Sequence, residues 1–526
     1  MLDAGLREHT LRNPDRTALI HRGQICSYGE LEALANRLAH VFRDAGLTRG
    51  EHIAGLLPNG FDIFAVVWAA YRCGLYFTPI PNTLSATEAG YMARDCEARL
   101  AIAHAECSAL AQSVPAHAPS VARWIAIGGP ISGFEAGDAL LAAARDTPID
   151  DETPGALMLY TSGTTGAPKG VCRPLLPVDY RGIPPFARDL LELFNLGGAD
   201  VRYLSPAPLH HAAPLRTSLA VTAGGGTVVV MDRFDAAQAL DLLEGLRITH
   251  SQWVPTMFQR MLALPEERRR AFSAPAHRVV YHGAAPCPIP LKRAMIEWWG
   301  PILLEYYAGS EGVGVTTIDS QDWLRHPGSV GKARRGAIHI LDEAMNELPR
   351  GATGRIYFSG SAPFAYFGAP DKTKGRISPQ GYQTLGDVGR LDADGYLYLT
   401  DRTDDMIISG GVNLYPQEIE NAIAEAPGVE DCGVVGMSDA RFGETPVAFV
   451  VPTPAAAGDP EALREAIRST LNARLGRLKH PSSIHVCAQL PRSATGKLLR
   501  RNLPELLAPS PGEGAQAPDP SALNPS

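Results

Sequence analysis

A loop rich in glycine and hydroxyl side chains, at residues 161–170, constrains this chain more than any other stretch. It follows a strand-like apolar run at 157–160 and ends in a lysine and a further glycine. Glycines let backbone N–H groups approach phosphate oxygens, hydroxyls donate hydrogen bonds, and a lysine adds positive charge. The loop therefore predicts a phosphate site, although its spacing is not that of a Walker loop. The predicted contacts come from Thr161, Ser162, Gly163, Thr164, Thr165, Gly166 and Lys169.

Helical and strand-like patterns alternate on both sides of this loop. Apolar residues at helical spacing over 28–45 and 62–73 predict helices, whereas short apolar runs at 52–57, 227–231 and 278–282 predict strands. Such an alternation predicts a sheet covered by helices. The fold class is therefore α/β, with a large N-terminal domain of sheets layered with helices.

The pattern changes near residue 380, where Asp392-Ala393-Asp394-Gly395 predicts a hairpin turn. A compact α+β segment follows, with predicted helices at 416–426 and 460–475. The last residues are rich in proline, alanine and serine, which is typical of disorder. We predict a large domain at 1–401, a hinge at 402–404, a small mobile C-terminal domain at 405–507 and a disordered tail at 508–526.

Composition excludes several classes of protein. A chain of 526 residues is too long for one small core, and its net charge of −8 argues against nucleic-acid binding. The apolar stretch at 63–70 is far shorter than the roughly 20 residues that span a membrane. No two of the eight cysteines have CxxC spacing, so they predict reduced thiols in a cytoplasmic protein.

The segment TSGTTGAPKG closely resembles the phosphate loop of the AMP-forming adenylate-forming superfamily, which includes acyl- and aryl-CoA synthetases. Further motifs follow in the order of that family. Residues 306–312, YYAGSEG, resemble its Y-G-x-T-E motif, with Ala308 in place of glycine and Ser310 in place of threonine. The resemblance implies that Tyr307 stacks on adenine, Ser310 meets the α-phosphate and Glu311 holds Mg²⁺, the hard cation that carboxylates suit.

Other motifs complete the implied nucleotide pocket. The G-A-A-P turn that lines the adenine site corresponds to Gly283, Ala284, Ala285 and Pro286. Leu385-Gly386-Asp387 resembles the family's T-G-D motif, so Asp387 is implied to accept hydrogen bonds from the ribose hydroxyls. Arg402 matches an arginine that also contacts the ribose.

The acid and thiol sites are also implied by resemblance. His211, in PLHHAAP, takes the place of a gating residue beside the acyl pocket, and His210 departs from the usual aromatic residue. Gly410 and Gly411, in SGGVNLYP, match glycines that border the pantetheine tunnel. Lys497, in PRSATGK, matches the family's catalytic lysine for adenylation. Asp404 matches the hinge residue about which the family's small domain rotates. The catalytic set is therefore Lys497, Glu311, Thr165 and His211.

The resemblance implies an ATP-dependent, AMP-forming acid–CoA ligase with ATP, Mg²⁺ and coenzyme A as its cofactors. Its partners are a fatty, aryl or steroid-type acid and CoA, with no nucleic acid and no integral membrane segment, and a homodimer is left open. Three alternatives also stay open. They are an adenylating enzyme that loads a carrier protein, a luciferase-like oxygenase and a non-catalytic nucleotide-binding protein, and CoA dependence, light output and pyrophosphate release distinguish them.

Overall fold

The structure, a computed structural model, describes residues 5–161, 168–180, 182–402, 405–409, 412–439, 441–493 and 496–507, without the side chains of Asp401, Arg402 and Asn413. Several predicted features lie outside these described residues, namely Ser162, Gly163, Thr164, Thr165, Gly166, the side chain of Arg402, Asp404, Gly410, Gly411 and the tail at 508–526. The chain divides into two compact units, Met1–Leu399 and Thr400–Ser526. The finer predicted division, with its hinge at 402–404, stays a prediction.

The strands are numbered in chain order. They are β1 (Thr17–His21), β2 (Gln24–Ser27), β3 (His52–Leu56), β4 (Tyr76–Pro79), β5 (Ala98–His104), β6 (Arg123–Ile127), β7 (Glu135–Ala136), β8 (Ala156–Leu157), β9 (Leu159–Thr161), β10 (Lys169–Cys172), β11 (Arg202–Ser205), β12 (Thr227–Val230), β13 (His250–Trp253), β14 (Val279–His282), β15 (Leu303–Ala308), β16 (Val315–Asp319), β17 (Lys332–Ala333), β18 (Ala337–Leu341), β19 (Gly354–Ser359), β20 (Ala365–Tyr366), β21 (Asp387–Leu391), β22 (Leu397–Arg402), β23 (Ile407–Ser409), β24 (Val412–Leu414), β25 (Val429–Asp439), β26 (Gly443–Pro452) and β27 (Ser483–Val486).

The α-helices are numbered in the same way. They are α1 (Leu6–Arg12), α2 (Tyr28–Asp44), α3 (Phe61–Arg72), α4 (Ala86–Asp95), α5 (Ser108–Ala111), α6 (Gly137–Ala143), α7 (Pro185–Phe194), α8 (Ala212–Ala223), α9 (Ala236–Gly245), α10 (Pro255–Leu262), α11 (Glu266–Ala271), α12 (Ile289–Trp299), α13 (Ser320–Arg325), α14 (Pro370–Lys374), α15 (Pro416–Ile423) and α16 (Pro460–Arg474). Short 3₁₀ segments lie at Ala105–Cys107, Pro115–His117, Arg477–Lys479 and Arg500–Leu507.

A six-stranded parallel sheet, in the order β7-β6-β5-β3-β4-β8, forms the first layer of the large unit. Its strand β3 is buried along its whole length. Ile53 packs into one hydrophobic cluster, whereas Ala54 and Leu56 pack into another. Because successive side chains of a strand point to opposite faces, both faces of this sheet are covered.

A nine-stranded sheet, in the order β17-β16-β15-β14-β13-β11-β12-β1-β2, forms the second layer. Its six central strands, from β15 to β1, pair in parallel, whereas β2, β16 and β17 pair antiparallel at its edges. Val228 shares a hydrophobic cluster with Ile53 of the six-stranded sheet, while its neighbour Val229 belongs to a second cluster. The two large sheets therefore enclose a common core, as predicted for an α/β protein.

Two smaller sheets complete this unit. One is three-stranded, in the order β20-β10-β9, and contains both strands that flank the predicted phosphate loop. The other is four-stranded, in the order β18-β19-β21-β22, and its last two strands are those of the hairpin predicted around 392–395.

The C-terminal unit is an α+β structure. Strands β24-β23-β26-β25 follow one another in its sheet, and β27 pairs with β26 in parallel. Ile419 of α15 and Ile467 of α16 share a buried cluster with Val450 of β26. Among the described residues, no helix is both long enough and apolar enough to cross a membrane.

Candidate active site

Three predicted motifs follow parallel strands of the nine-stranded sheet. His211 comes after β11, the turn at 283–286 after β14, and the turn at 309–312 after β15. Because parallel strands end at the same edge of a sheet, all three motifs lie at its carboxyl edge. Ligands of open α/β sheets bind at this edge, so the arrangement marks a candidate active site.

The ends of the predicted phosphate loop are held together by a strand pair. Thr161 of β9 is the antiparallel partner of Lys169 of β10, so the loop begins and ends at one place. Helix α4 supports both ends. The hydroxyl of Tyr160 donates to Oδ2 of Asp95 at 2.6 Å, while the hydroxyl of Tyr91 lies 3.1 Å from both Oδ1 of Asp95 and the Pro168 carbonyl, which share its one hydrogen.

The carboxylate of Glu311 lies in a tight turn directly after β15. The N–H of Gly312 donates to the carbonyl of Gly309 at 2.9 Å, which closes the turn. Glu311 is only 9% exposed, and its Oε1 accepts a hydrogen bond of 2.8 Å from the hydroxyl of Tyr366. The ring of Tyr366 lies 5.3 Å from Nζ of Lys169. The structure therefore brings Lys169 and Glu311, predicted as phosphate and metal contacts, to the same side chain, with Lys169 over the ring of Tyr366 and Glu311 at its hydroxyl.

Tyr307 and Asp387, predicted to hold adenine and ribose, also meet. The hydroxyl of Tyr307 donates to Oδ2 of Asp387 at 2.5 Å. These residues are 80 positions apart in the chain, and they lie on β15 and β21. A phenol bound at its far end keeps one ring orientation, which suits a stacking surface for a flat base.

The turn at 283–286 packs closely on strand β15. A Cβ on Gly283 would lie 2.6 Å from the carbonyl oxygen of Tyr306 and 2.9 Å from its ring, so only glycine fits there. Ala284 has a φ of 68°, a left-handed conformation that is uncommon for a residue with a side chain. Ala285 and Pro286 complete the turn. The predicted G-A-A-P motif is thus a constrained turn.

The two histidines before α8 are uncharged at neutral pH. Burial lowers the pKa of His210 to about 3, with a smaller effect from His211. Burial also lowers the pKa of His211 to about 4. His211 occupies the N-cap position of α8 without capping the helix through its side chain. The predicted acyl side of the site therefore gains no positive charge from either ring.

Lys497 belongs to the C-terminal unit and lies in a loop that is closed by hydrogen bonds. Its N–H donates to Oγ of Ser493 at 3.1 Å, and its carbonyl accepts from the Ser493 N–H at 2.8 Å. Arg492 pairs with Asp431 of β25 at 2.7 Å and also donates to the Gly496 carbonyl at 2.6 Å. The backbone around Lys497 is therefore fixed to the sheet of its own unit.

Sequence reasoning missed the residues that support these motifs. Asp95 accepts a hydrogen bond from Tyr160, directly before the predicted phosphate loop, and Tyr366 donates one to Glu311. Arg173 and Arg216 donate to backbone carbonyls of the turn that carries Glu311. The one local signal was the position of Arg173, three residues beyond the loop.

The chain was compared with known proteins, and its residues 6–365 match the AMP-binding enzyme family. Residues 418–497 match the C-terminal domain of the same enzymes. The chain belongs to the AMP-binding enzyme family. This AMP-binding enzyme matches relatives over most of their length. A feruloyl-CoA synthase of Amycolatopsis sp is 33% identical over 497 residues, which are 93% of this chain and 95% of that protein.

Two further comparisons agree. The long-chain-fatty-acid–CoA ligase FadD13 of Mycobacterium tuberculosis is 31% identical over 494 residues, which are 91% of this chain and 92% of the relative. The crystal structure of ATP-bound MatB from Rhodopseudomonas palustris matches with a TM-score of 0.82 and 28% identity, over 96% of this chain and 99% of that one. The predicted family, α/β fold and enzyme class, an AMP-forming acid–thiol ligase, are confirmed.

Proposed function

We propose that this AMP-binding enzyme joins a fatty, aryl or steroid-type carboxylic acid to coenzyme A through an acyl-adenylate, and that its described site carries out the adenylation. The observation that supports this assignment most directly is that one side chain, Tyr366, contacts both Lys169, through its ring, and Glu311, through its hydroxyl. A cation and a carboxylate that contact the same side chain suit the phosphates and the Mg²⁺ of a bound nucleotide.

In the first half-reaction, an oxygen of the acid's carboxylate attacks the α-phosphorus of ATP. The bond to the bridging oxygen of the β-phosphate breaks, and pyrophosphate leaves with that electron pair. The carboxylate is already an anion near neutral pH, so no general base is needed. The difficulty is repulsion between two anions, which Lys169, the phosphate loop and Lys497 would reduce.

The side chains present are suited to Mg²⁺. Mg²⁺ commonly binds one or two carboxylates together with phosphate oxygens and water. Glu311 offers a buried carboxylate, oriented through Oε1 by the hydroxyl of Tyr366. Bound with ATP, the ion would neutralise phosphate charge as the α-phosphorus is attacked.

In the second half-reaction, the thiol sulfur of CoA attacks the carbonyl carbon of the adenylate, the bond from that carbon to the phosphate oxygen breaks, and AMP leaves. The thiol loses its proton to solvent, since a thiol pKa of about 8.5 leaves some thiolate at neutral pH. Gly410 and Gly411 are proposed to border the pantetheine, and Arg402 and Asp387 to hold the ribose.

The proposed acid class is supported by the uncharged state of His210 and His211. Apolar acyl groups are suited to a wall that carries no charge, because burying an unpaired charge against them would be costly. The names of two relatives, the feruloyl-CoA synthase and the long-chain-fatty-acid–CoA ligase FadD13, give an aryl acid and a fatty acid, and they support the same acid classes. The cytoplasmic location and the homodimer stay predictions.

A panel of fatty, aryl and steroid acids tests this proposal by pyrophosphate release, with and without CoA. We expect release with at least one class, and acyl-CoA formation only when CoA is added.

Glu311→Gln keeps the shape but removes the charge, so its adenylation should fall by about 10²-fold at limiting Mg²⁺. Thioester formation on a phosphopantetheinylated carrier protein but not on CoA would favour the carrier-loading alternative, and no pyrophosphate with any acid would contradict the proposal.

A further inference from the structure

Two arginine side chains from different elements hold the backbone of the turn that carries Glu311. Nη2 of Arg173, which follows β10, donates to the carbonyl of Glu311 at 2.8 Å and to that of Gly312 at 3.0 Å. Both terminal nitrogens of Arg216, on α8, lie 3.4 Å from the carbonyl of Ser310. Three consecutive carbonyls therefore face two guanidinium groups.

The glycine at position 312 makes room for one of these contacts. A Cβ on Gly312 would lie 2.4 Å from Nη2 of Arg173, so any other residue would displace that guanidinium. Gly312 also has a φ of 61°, which favours glycine over residues with a side chain. Arg173 can therefore approach the turn closely because residue 312 has no side chain.

Neither guanidinium forms an ion pair within the described part of the chain, where the three carbonyls are their hydrogen-bond acceptors. Burial lowers the pKa of Arg216 to about 10; the charge of Arg173 lowers it too, whereas Glu311 raises it. Burial likewise lowers the pKa of Arg173. Both side chains keep their charge, because a guanidinium stays protonated in proteins near neutral pH. Their contacts with the turn are therefore charge-assisted, which makes them stronger than contacts between neutral groups.

We propose that Arg173 and Arg216 are positioning residues, which we call the arginine clasp, and that the clasp fixes the turn at 309–312 for magnesium and phosphate binding. Carbonyl oxygens carry partial negative charge and would repel a triphosphate. The clasp engages those of residues 310–312, leaving the Ser310 hydroxyl and the Glu311 carboxylate for the nucleotide. This inference rests on the proposed function, since it assumes that the turn binds Mg²⁺ and ATP.

The clasp predicts a specific change in catalysis when one contact is removed. In Arg173→Met and in Arg216→Met the chain keeps a long side chain but loses the donors. Because small displacements of positioned groups can cost about 10²-fold in rate, we expect adenylation to slow by about 10- to 100-fold. The Mg²⁺ concentration for half-maximal rate should rise several-fold, while the KM for the acid stays within about twofold. Arg173→Lys should recover part of the rate, since lysine keeps the charge without the fork of donors.

A matched control is Arg269→Met. Arg269 lies in the same unit, is partly buried and donates to a backbone carbonyl, that of Leu264, at 3.1 Å. Its loss should leave the Mg²⁺ dependence unchanged. If an arginine-to-methionine variant does not fold, Arg173→Lys decides the question, because it keeps the charge but loses the fork of donors. Gly312→Ala is unsuitable, because the φ of 61° at this position would strain the turn itself.

Hydrogen exchange of the full chain without nucleotide tests the clasp apart from catalysis. The amide of Gly312, which closes the turn, should exchange faster in Arg173→Met than in Arg269→Met or the unaltered chain. Folded variants with unchanged exchange and unchanged Mg²⁺ dependence would overturn the clasp. Faster exchange in a chain that forms no adenylate with any acid would instead support the clasp as a structural device and refute the proposed function.

Discussion

The hydroxyl of Tyr366 donates a 2.8 Å hydrogen bond to Oε1 of Glu311. Burial raises the pKa of the Tyr366 phenol, and the adjacent Glu311 carboxylate raises it too, so the phenol stays protonated and keeps its donor. Strand β20 pairs with β10, placing Tyr366 opposite Val171, two residues beyond Lys169. One tyrosine thus links the segment after the phosphate loop to the proposed metal carboxylate.

The first prediction removes this hydroxyl. Tyr366→Phe should lower the rate of pyrophosphate release by about 10-fold and raise the Mg²⁺ concentration for half-maximal rate, because Glu311 loses the contact that orients it. Folding should survive, since the ring remains. Steady-state rates over a Mg²⁺ titration provide the measurement.

Tyr71→Phe is the control, because the Tyr71 hydroxyl is buried with no hydrogen-bond partner among the described residues. It removes the same atom without removing a bond, so its Mg²⁺ titration should match the unaltered enzyme. Identical titrations for both variants would exclude Tyr366 from the metal site.

The second prediction concerns the support beneath the phosphate loop. Tyr160→Phe removes the 2.6 Å hydrogen bond to Asp95 from the residue that precedes Thr161. A less constrained loop must be ordered when ATP binds, so the KM for ATP should rise by about 3- to 10-fold. The KM for the acid should change by less than about twofold, and a matched rise in both constants would count against a local role.

The third prediction concerns stability at acid pH. Burial lowers the pKa of His277 to about 3, with a smaller contribution from His250. Burial also lowers the pKa of His250 to about 4. The ordinary histidine pKa is about 6.5, so between these values the unfolded chain binds protons that the folded chain does not. Their stabilisation is complete above about pH 6.5 and is lost as the pH falls towards 4.

Each of these histidines should contribute a slope of about 1.4 kcal/mol per pH unit in this window. Urea unfolding followed by tryptophan fluorescence measures the slope in the large unit, because all six tryptophans precede residue 400. His277→Gln should reduce the slope of the unfolding free energy against pH by about 1.4 kcal/mol per pH unit. An unchanged slope would mean that His277 takes up its proton without unfolding.

The sequence predicted the fold class and the local setting of the main motifs. The helix expected at 28–45 is Tyr28–Asp44, that expected at 62–73 is Phe61–Arg72, and a strand precedes each of the turns at 283–286 and 309–312. These features depend on local periodicity and turn residues, which a single sequence records.

The supporting side chains could not be predicted in this way. Arg216, on the helix after β11, meets the carbonyl of Ser310, after β15, although two other strands lie between β11 and β15. Tyr366 lies on β20, which pairs with β10, and bonds to Glu311. Strand order and register between distant segments are set by the packing of whole layers, and no local pattern encodes them.

The last prediction tests Lys497, whose role rests on the PRSATGK motif. In the family that this motif resembles, the lysine acts in adenylation, and the small domain then rotates for thioester formation. Its charge would offset repulsion between the carboxylate and the α-phosphate, an effect realised most strongly in the transition state. Loss of one such donor typically costs about 10²–10³ in rate. Lys497→Ala should therefore slow adenylate formation by about that factor.

Thioester formation from added acyl-adenylate and CoA should stay within about tenfold of the unaltered enzyme, so the two half-reactions should differ by about 10- to 100-fold. Rapid-quench measurement of each half-reaction decides the matter. Lys479→Ala is a suitable control, since Lys479 lies in the same unit and pairs with Glu418 at 2.5 Å. Because that pair is partly exposed, its loss should affect neither half-reaction beyond about twofold. Normal adenylate formation by Lys497→Ala, or a parallel loss of both steps, would show that Lys497 does not act selectively in the first.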